Sequence, residues 1–147
     1  MGMTALAAGM LMAACFLLLY AGVGLIQEKR FFGSAPKEVF DAVPARKKER
    51  FRGARLLGWF VALLAILLFA GAVVLAAWDG VRNGFGFWRF FVRFLAMLYI
   101  MELYDIGFFD WVLLCHSNFF PHFYPEVKGV VGLQLFGYNK KTHALYV

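Results

Sequence analysis

The fold class this chain predicts is an all-α integral membrane protein, and three observations predict it. Hydrophobic residues make up 63% of the 147 residues and charged ones only 16%, whereas a soluble domain carries about 25% charged residues. Three apolar runs, at about residues 4–26, 56–78 and 88–117, each exceed the ~20 residues that one helical crossing of a bilayer needs. Nine of the fifteen basic residues fall between Lys29 and Arg55, in the connector 27–55 that joins the first two runs. That clustering is the signature of a cytoplasmic loop. The length suits a single membrane domain, 1–147. The net charge of +6 therefore reads as topology, with affinity for anionic headgroups, and not as a nucleic-acid footprint.

The first run, Thr4 to Ile26, reads as a retained helix. No Lys or Arg precedes Gly9, so it lacks the basic start of a signal peptide. Met12-Ala13-Ala14-Cys15 loosely suggests a lipoprotein cleavage site, but the apolar run continues through Phe16–Tyr20. Ala5, Gly9 and Ala13 are spaced four apart, a small-residue face that lets another helix approach closely, within the chain or from a second copy. In the connector, Ser34-Ala35-Pro36-Lys37-Glu38 resembles a helix start. Residues 36–43 then predict a short amphipathic helix with Val39, Phe40 and Val43 toward lipid. Residues 45–52 are expected to lead straight into the second span as a solvated, charged helix end. That span, Leu56 to Trp78, has no charge, and Trp59 and Trp78 stand near its ends. Nineteen residues of helix cover ~28 Å, so both rings reach the interfacial belts. Asp79 to Phe87 reads as a tight outer turn. The two cysteines, Cys15 and Cys115, sit in separate apolar runs and form no disulfide framework or C-x-x-C pair.

The third run carries nearly all the charge at membrane depth: Arg89, Arg93, Glu102, Asp105, Asp110 and His116. Thirty residues of straight helix would be ~45 Å, longer than the hydrocarbon core, so the helix is expected to tilt, to extend past the interface, or to break near Asp105-Ile106-Gly107. At about 100° per residue, Glu102, Asp105 and His116 share one side, Asp110 and Ser117 flank it, and the two arginines lie opposite, placed to snorkel outward. Intramembrane carboxylates cost about 2.5–3.5 kcal/mol on insertion scales and mark functional sites. Glu102 and Asp105 are one turn apart, the spacing at which two carboxylates share a proton or clasp a cation. After Ser117 the aromatic stretch Phe119–Glu126 has prolines at 121 and 125. It predicts an irregular segment, a re-entrant loop or the approach to a fourth helix.

Tyr104-Asp105, Asp110-Trp111, Phe119-Phe120, Pro125-Glu126 and Gly129 give a D-x4-D-W core followed by an aromatic stretch and a P-E step. Over residues 100–130 this resembles a group of uncharacterised small bacterial multispan membrane proteins. The resemblance implies that Asp105, Asp110, Trp111, Pro125 and Glu126 act as a unit, and it implies no activity. The patterns of glutathione-using membrane enzymes and of membrane methyltransferases are not found.

The candidate ligand- or ion-binding residues are thus Glu102, Asp105, Asp110, His116, His122 and Glu126, with no metal or cofactor site assigned. The expected function is an ion- or proton-coupled transport or channel component in the plasma membrane. Its N-terminus would be outside, its basic connector cytoplasmic, and its partners the lipid bilayer and further copies or a larger complex. Two alternatives stand beside it. One is a membrane-embedded enzyme acting on a lipid, with His116, His122 and Glu126 as acid/base groups. The other is an accessory subunit whose polar face docks a partner.

Overall fold

A computed structural model describes residues 2–32, 37–44, 46 and 48–130. The expected helix start at Ser34–Pro36 and the apolar stretch after Val130, with Lys140, Lys141 and His143, lie outside the described residues. Among the described residues every regular element is helical. Helix α1 spans Gly2–Tyr20 and runs on as a π-helical segment, Ala21–Ile26. A 3-10 turn (Lys29–Phe32) and α2 (Lys37–Ala42) follow. Helix α3 covers Ala54–Arg82. Helix α4 covers Phe87–Tyr104 and continues as a π-helical segment, Asp105–His116. Helix α5 (Phe119–Phe123) and a 3-10 turn (Pro125–Val127) close the described chain. Two of these helices, Gly2–Ile26 and Ala54–Arg82, are long and apolar enough to cross a membrane. Helix α4 has the length but carries Arg89, Arg93 and Glu102.

Helix α3 is built inside out by the standards of a water-soluble helix. Its buried positions are Ala54, Gly58, Ala62, Ala65, Ala72, Ala76 and Gly80, all small. Its exposed positions hold Leu56, Phe60, Ile66, Leu67 and Val74, each more than half exposed. Small residues let backbones approach, and large apolar ones face out, the reverse of a helix packed in water. The close approach is direct at two glycines. A Cβ on Gly58 would stand 2.6 Å from Ile26 Cγ1 and 3.1 Å from the Ile26 backbone nitrogen, and one on Gly80 would collide with the Phe90 ring.

Helix α1 lies antiparallel to α3. Ala7, Ala8 and Leu11 pack with Ala72 and Ala76 at one end, and Leu25 and Ile26 meet Gly58 at the other. The intramolecular face of α1 is therefore Ala7, Ala8, Leu11 and Ala14. Ala5 and Ala13, on the small-residue face picked out from spacing, are exposed. Met97 of α4 joins the same seam, with Met10, Phe94 and Met101 against it. The π segment of α1 ends at Gln27, which takes a left-handed backbone (φ 55°) and donates its N–H to Gly22 O at 2.9 Å.

A second cluster gathers at the far end of the helices. Val23, Phe32, Val39, Val43, Phe123, Tyr124 and Val127 form it, drawn from α1, the connector and the C-terminal turns. This corrects two expectations. Val39 and Val43 of the connector face protein, not lipid, at 1% and 0% exposure. Phe119–Phe123 forms a short helix despite Pro121, because that proline sits in the first turn, where no backbone N–H is required. Nor does the charged run lead straight into α3. Described residues 48–53 are irregular, and helix begins only at Ala54.

Candidate functional site

The polar residues fall at three levels along α4. The first level sets the register. Arg93 is only 7% exposed and does not snorkel outward as expected. Its Nη1 donates to Ala76 O at 2.7 Å, its Nη2 pairs with Asp79 Oδ2 at 2.8 Å, and its guanidinium lies 4.3 Å from the Phe85 ring centre. Asp79 therefore belongs to the last turns of α3, not to the connecting turn, and it holds α4 to α3 one turn before Arg82. Spacing along a helix tells which residues share a face. It does not tell which face meets a neighbour, so the inward turn of Arg93 carries no signal in the sequence beyond the presence of an acid in the adjoining turn.

The second level lies beyond Met97. Glu102 and Asp105 are partly buried, the last α-helical turn holding one and the start of the π segment the other. Asp105 lies within electrostatic reach of Cys15 on α1, and the Cys15 thiol approaches Met101 Sδ at 4.0 Å. Tyr104 stacks on Phe108 (ring centres 5.0 Å apart), and Phe108 meets Phe16 of α1 edge-on at 6.0 Å. From the sequence Cys15 reads only as a thiol within an apolar run, and Met101 carries no signal of its own. Two sulfurs 86 positions apart show their proximity only once α1 and α4 are packed.

From Asp105 the winding changes, near the break the length of this run suggests. The i→i+5 pattern of a π helix corresponds to roughly 4.4 residues per turn and a shorter rise than the α-helix. At that winding an ideal segment would bring Asp110 to within roughly 50° of Asp105 and turn His116 to nearly the opposite side. The angular spacing from which a shared face of Glu102, Asp105 and His116 is read therefore does not apply beyond Asp105. His116 is exposed, donates Nδ1–H to Trp111 O at 2.7 Å, and stacks edge-on against the Trp111 ring. It finishes the π segment, and Ser117 finishes it further: its hydroxyl donates to Leu113 O (2.7 Å) and accepts from Phe119 N (3.1 Å).

The third level is a knot of arginines and aromatics. Arg46 grips both oxygens of Glu126 at 3.1 and 3.2 Å and lies over the Tyr124 ring at 4.8 Å. Arg50 Nη2 donates to His122 Nε2 at 3.3 Å and lies over the Phe123 ring at 4.9 Å. Because a guanidinium only donates, His122 Nε2 is the acceptor in that contact. Arg55 donates to Arg46 O at 2.8 Å and ties the start of α3 to the connector. Arg46 and Arg50 were read as part of a solvated helix end. The available hint was that Glu126 is the last acid in the chain, opposite a connector rich in base. Beneath this knot the Tyr124 side chain is fully buried, and its hydroxyl has no hydrogen-bond partner among the described residues. Burial pushes the phenol up to about 12, with Arg46 pulling back and Glu126 adding to the rise.

The six sequence candidates are therefore split. Glu102, Asp105 and Asp110 lie along α4 and its π extension, His116 caps that segment, and His122 and Glu126 are engaged by the connector. Among the described residues no three His, Cys, Asp or Glu side chains are grouped to hold a metal ion. No family model, curated protein or solved structure matches this chain.

Proposed function

We propose that this chain is a three-crossing protein of the plasma membrane and works as an ion- or proton-coupled transport or channel component, with Glu102 and Asp105 as its proton- or cation-binding carboxylates. The crossings are α1 with its π segment, α3, and α4 with its π segment. The N-terminus lies outside, and the basic connector lies in the cytoplasm, in keeping with its nine basic residues. The inside-out composition of α3 supports lipid as the solvent.

One observation carries the functional reading. Arg93 bonds to Ala76 and Asp79, which flank Trp78 in α3, so Arg93 stands level with the outer aromatic belt. Glu102 and Asp105 follow nine and twelve residues later, ~13 Å and ~18 Å further along the axis. In a hydrocarbon core of ~30 Å they lie on either side of the midplane. Carboxylates at that depth are costly unless they bind a proton or a cation, or face a partner or water. The bundle of three crossings encloses little interior, so the pathway requires further copies of the chain around it. The lipid-enzyme alternative is disfavoured because two of its three acid/base groups, His122 and Glu126, are held by Arg50 and Arg46.

The test is flux into liposomes carrying an interior pH-sensitive dye, under an imposed pH gradient. Glu102→Gln and Asp105→Asn are expected to abolish protein-dependent flux while helix content and monodispersity stay as in the parent. Unchanged flux in both variants, or no protein-dependent flux at all, overturns the proposal.

A further inference from the structure

From the arginines at the connector end of the bundle we infer a binding site for an anionic phospholipid, with Arg46 and Arg50 donating to its phosphate. Each guanidinium uses one nitrogen within the chain. Arg46 gives Nη2 to Glu126, and Arg50 gives Nη2 to His122. Their Nε and Nη1 groups have no hydrogen-bond partner among the described residues. Each guanidinium also lies over a ring, Arg46 over Tyr124 at 4.8 Å and Arg50 over Phe123 at 4.9 Å. Both rings are buried in the cluster with Val39 and Val43, so the platform is fixed. A guanidinium stacked on a fixed ring is pre-organised, and its planar fork of N–H groups matches the oxygens of a phosphate.

Charge and depth select the ligand. Between 46 and 55 the described residues carry five cations, Arg46, Lys48, Arg50, Arg52 and Arg55, and one acid, Glu49. The Glu49 carboxylate is committed to the Gly53 N–H at 2.8 Å. With Glu126 as a second acid, five cations against two leave an excess of three positive charges. That excess attracts an anionic headgroup and repels the ammonium of a zwitterionic one. The cluster directly precedes Ala54, where α3 begins, and the first turns of α3 expose Leu56 and Phe60. Trp59, with Arg30 over its ring at 5.2 Å, stands at the same level, where an interfacial belt is expected. Acyl chains lying against Leu56 and Phe60 bring a phosphate to the level of Arg50. The site rests on the reading that α3 crosses the membrane from a cytoplasmic connector, and not on transport.

The test is native mass spectrometry of the delipidated full chain in detergent, titrated with dioleoyl phosphatidylglycerol and, separately, with dioleoyl phosphatidylcholine. The two lipids share acyl chains and differ in headgroup charge. The parent is expected to bind phosphatidylglycerol more tightly by at least about fivefold, the factor that one cation near a membrane surface supplies. Arg50→Gln is expected to lose about fivefold in affinity for phosphatidylglycerol and to bind phosphatidylcholine as the parent does. Arg50→Lys, which keeps the charge and loses the planar fork, is expected to fall between the two. Arg52 is exposed and lies over no ring among the described residues, so Arg52→Gln is expected to stay near the parent. Excess inorganic phosphate is expected to leave the lipid bound. Equal affinity of the parent for the two lipids overturns the inference and leaves the membrane reading standing, whereas binding of neither lipid contradicts both. Equal losses in Arg50→Gln and Arg52→Gln also overturn it, because the attraction then belongs to the whole connector. Displacement of the lipid by inorganic phosphate overturns it as well, by making a soluble anion the ligand.

Discussion

Replacing Arg93 by Met is the sharpest perturbation of the register on which the depth of Glu102 depends. Methionine preserves the unbranched apolar stem and its packing near Phe85, so the change isolates the guanidinium. What is lost is a 2.8 Å pair with Asp79 and a 2.7 Å bond to Ala76 O. What is left behind is Asp79 at 19% side-chain exposure, a carboxylate enclosed by protein without its cation. Removing one partner of a buried pair costs about 3–5 kcal/mol, chiefly through the uncompensated charge. Asp79 keeps some access to the interface, so the lower end, about 3 kcal/mol, is expected. Loss of the guanidinium over Phe85 adds about 0.5–1 kcal/mol. Reversible unfolding in mixed micelles, followed by far-ultraviolet circular dichroism, measures the total. The companion variant Arg93→Met/Asp79→Leu removes the stranded charge and is expected to recover most of the loss, to within about 1 kcal/mol of the parent. A loss below about 1 kcal/mol in the single variant would show that the pair does not hold α4 to α3. Failure of the double variant to recover would assign the loss to packing and not to charge.

Four further outcomes are expected. Tyr124→Phe removes a buried hydroxyl that has no partner among the described residues, so it should be neutral or stabilising by up to about 1 kcal/mol in the same unfolding assay. The parent should also lose stability relative to Tyr124→Phe as pH rises from 10 to about 12: the unfolded phenol ionises near 10, the buried one only near 12, so over that window the unfolded state releases the proton first and is favoured. Gly58→Ala brings a methyl against Ile26, backbone included, and should cost about 1–3 kcal/mol as an overpacking defect. Arg46→Ala breaks an ion pair whose Glu126 partner is 44% exposed; that pair is worth at most about 1 kcal/mol, so a larger loss would assign the excess to the Tyr124 ring beneath it.

Helical class and the two long apolar helices could be read from hydropathy and length because both are properties of the run itself, independent of what it packs against. The expected runs 4–26 and 56–78 fall within Gly2–Ile26 and Ala54–Arg82. The interhelical faces could not be read in the same way. Helix α1 carries small residues on two sides, and size alone does not distinguish Ala5, Gly9 and Ala13 from Ala7, Ala8 and Ala14. The amphipathic α2 posed the same ambiguity, since Val39 and Val43 suit a lipid surface as well as Phe32 and Tyr124. Within the candidate site, the turn-to-turn spacing of Glu102 and Asp105 follows from helix periodicity. The positions of Asp110 and His116 do not, because run length suggests a break near Asp105 but not that the winding there becomes i→i+5. The knot of Arg46 and Arg50 with Glu126 and His122 joins residues 80 and 72 positions apart. A connector that folds back on a C-terminal turn leaves only its charge complementarity in the sequence.

The proposed carboxylate site requires Glu102 and Asp105 to lie near the membrane midplane on a third crossing. The most direct measurement is the immersion depth of a nitroxide placed at position 102 in a Cys15→Ser/Cys115→Ser background. Depth is read from the contrast between collisions with dissolved oxygen and with a water-soluble nickel chelate. The account predicts high oxygen and low nickel accessibility, at a depth near the bilayer centre and well below a label at position 88. A label at 102 that sits at the headgroup level, as shallow as one at 88, would mean that α4 lies along the surface, and the carboxylate site would be contradicted.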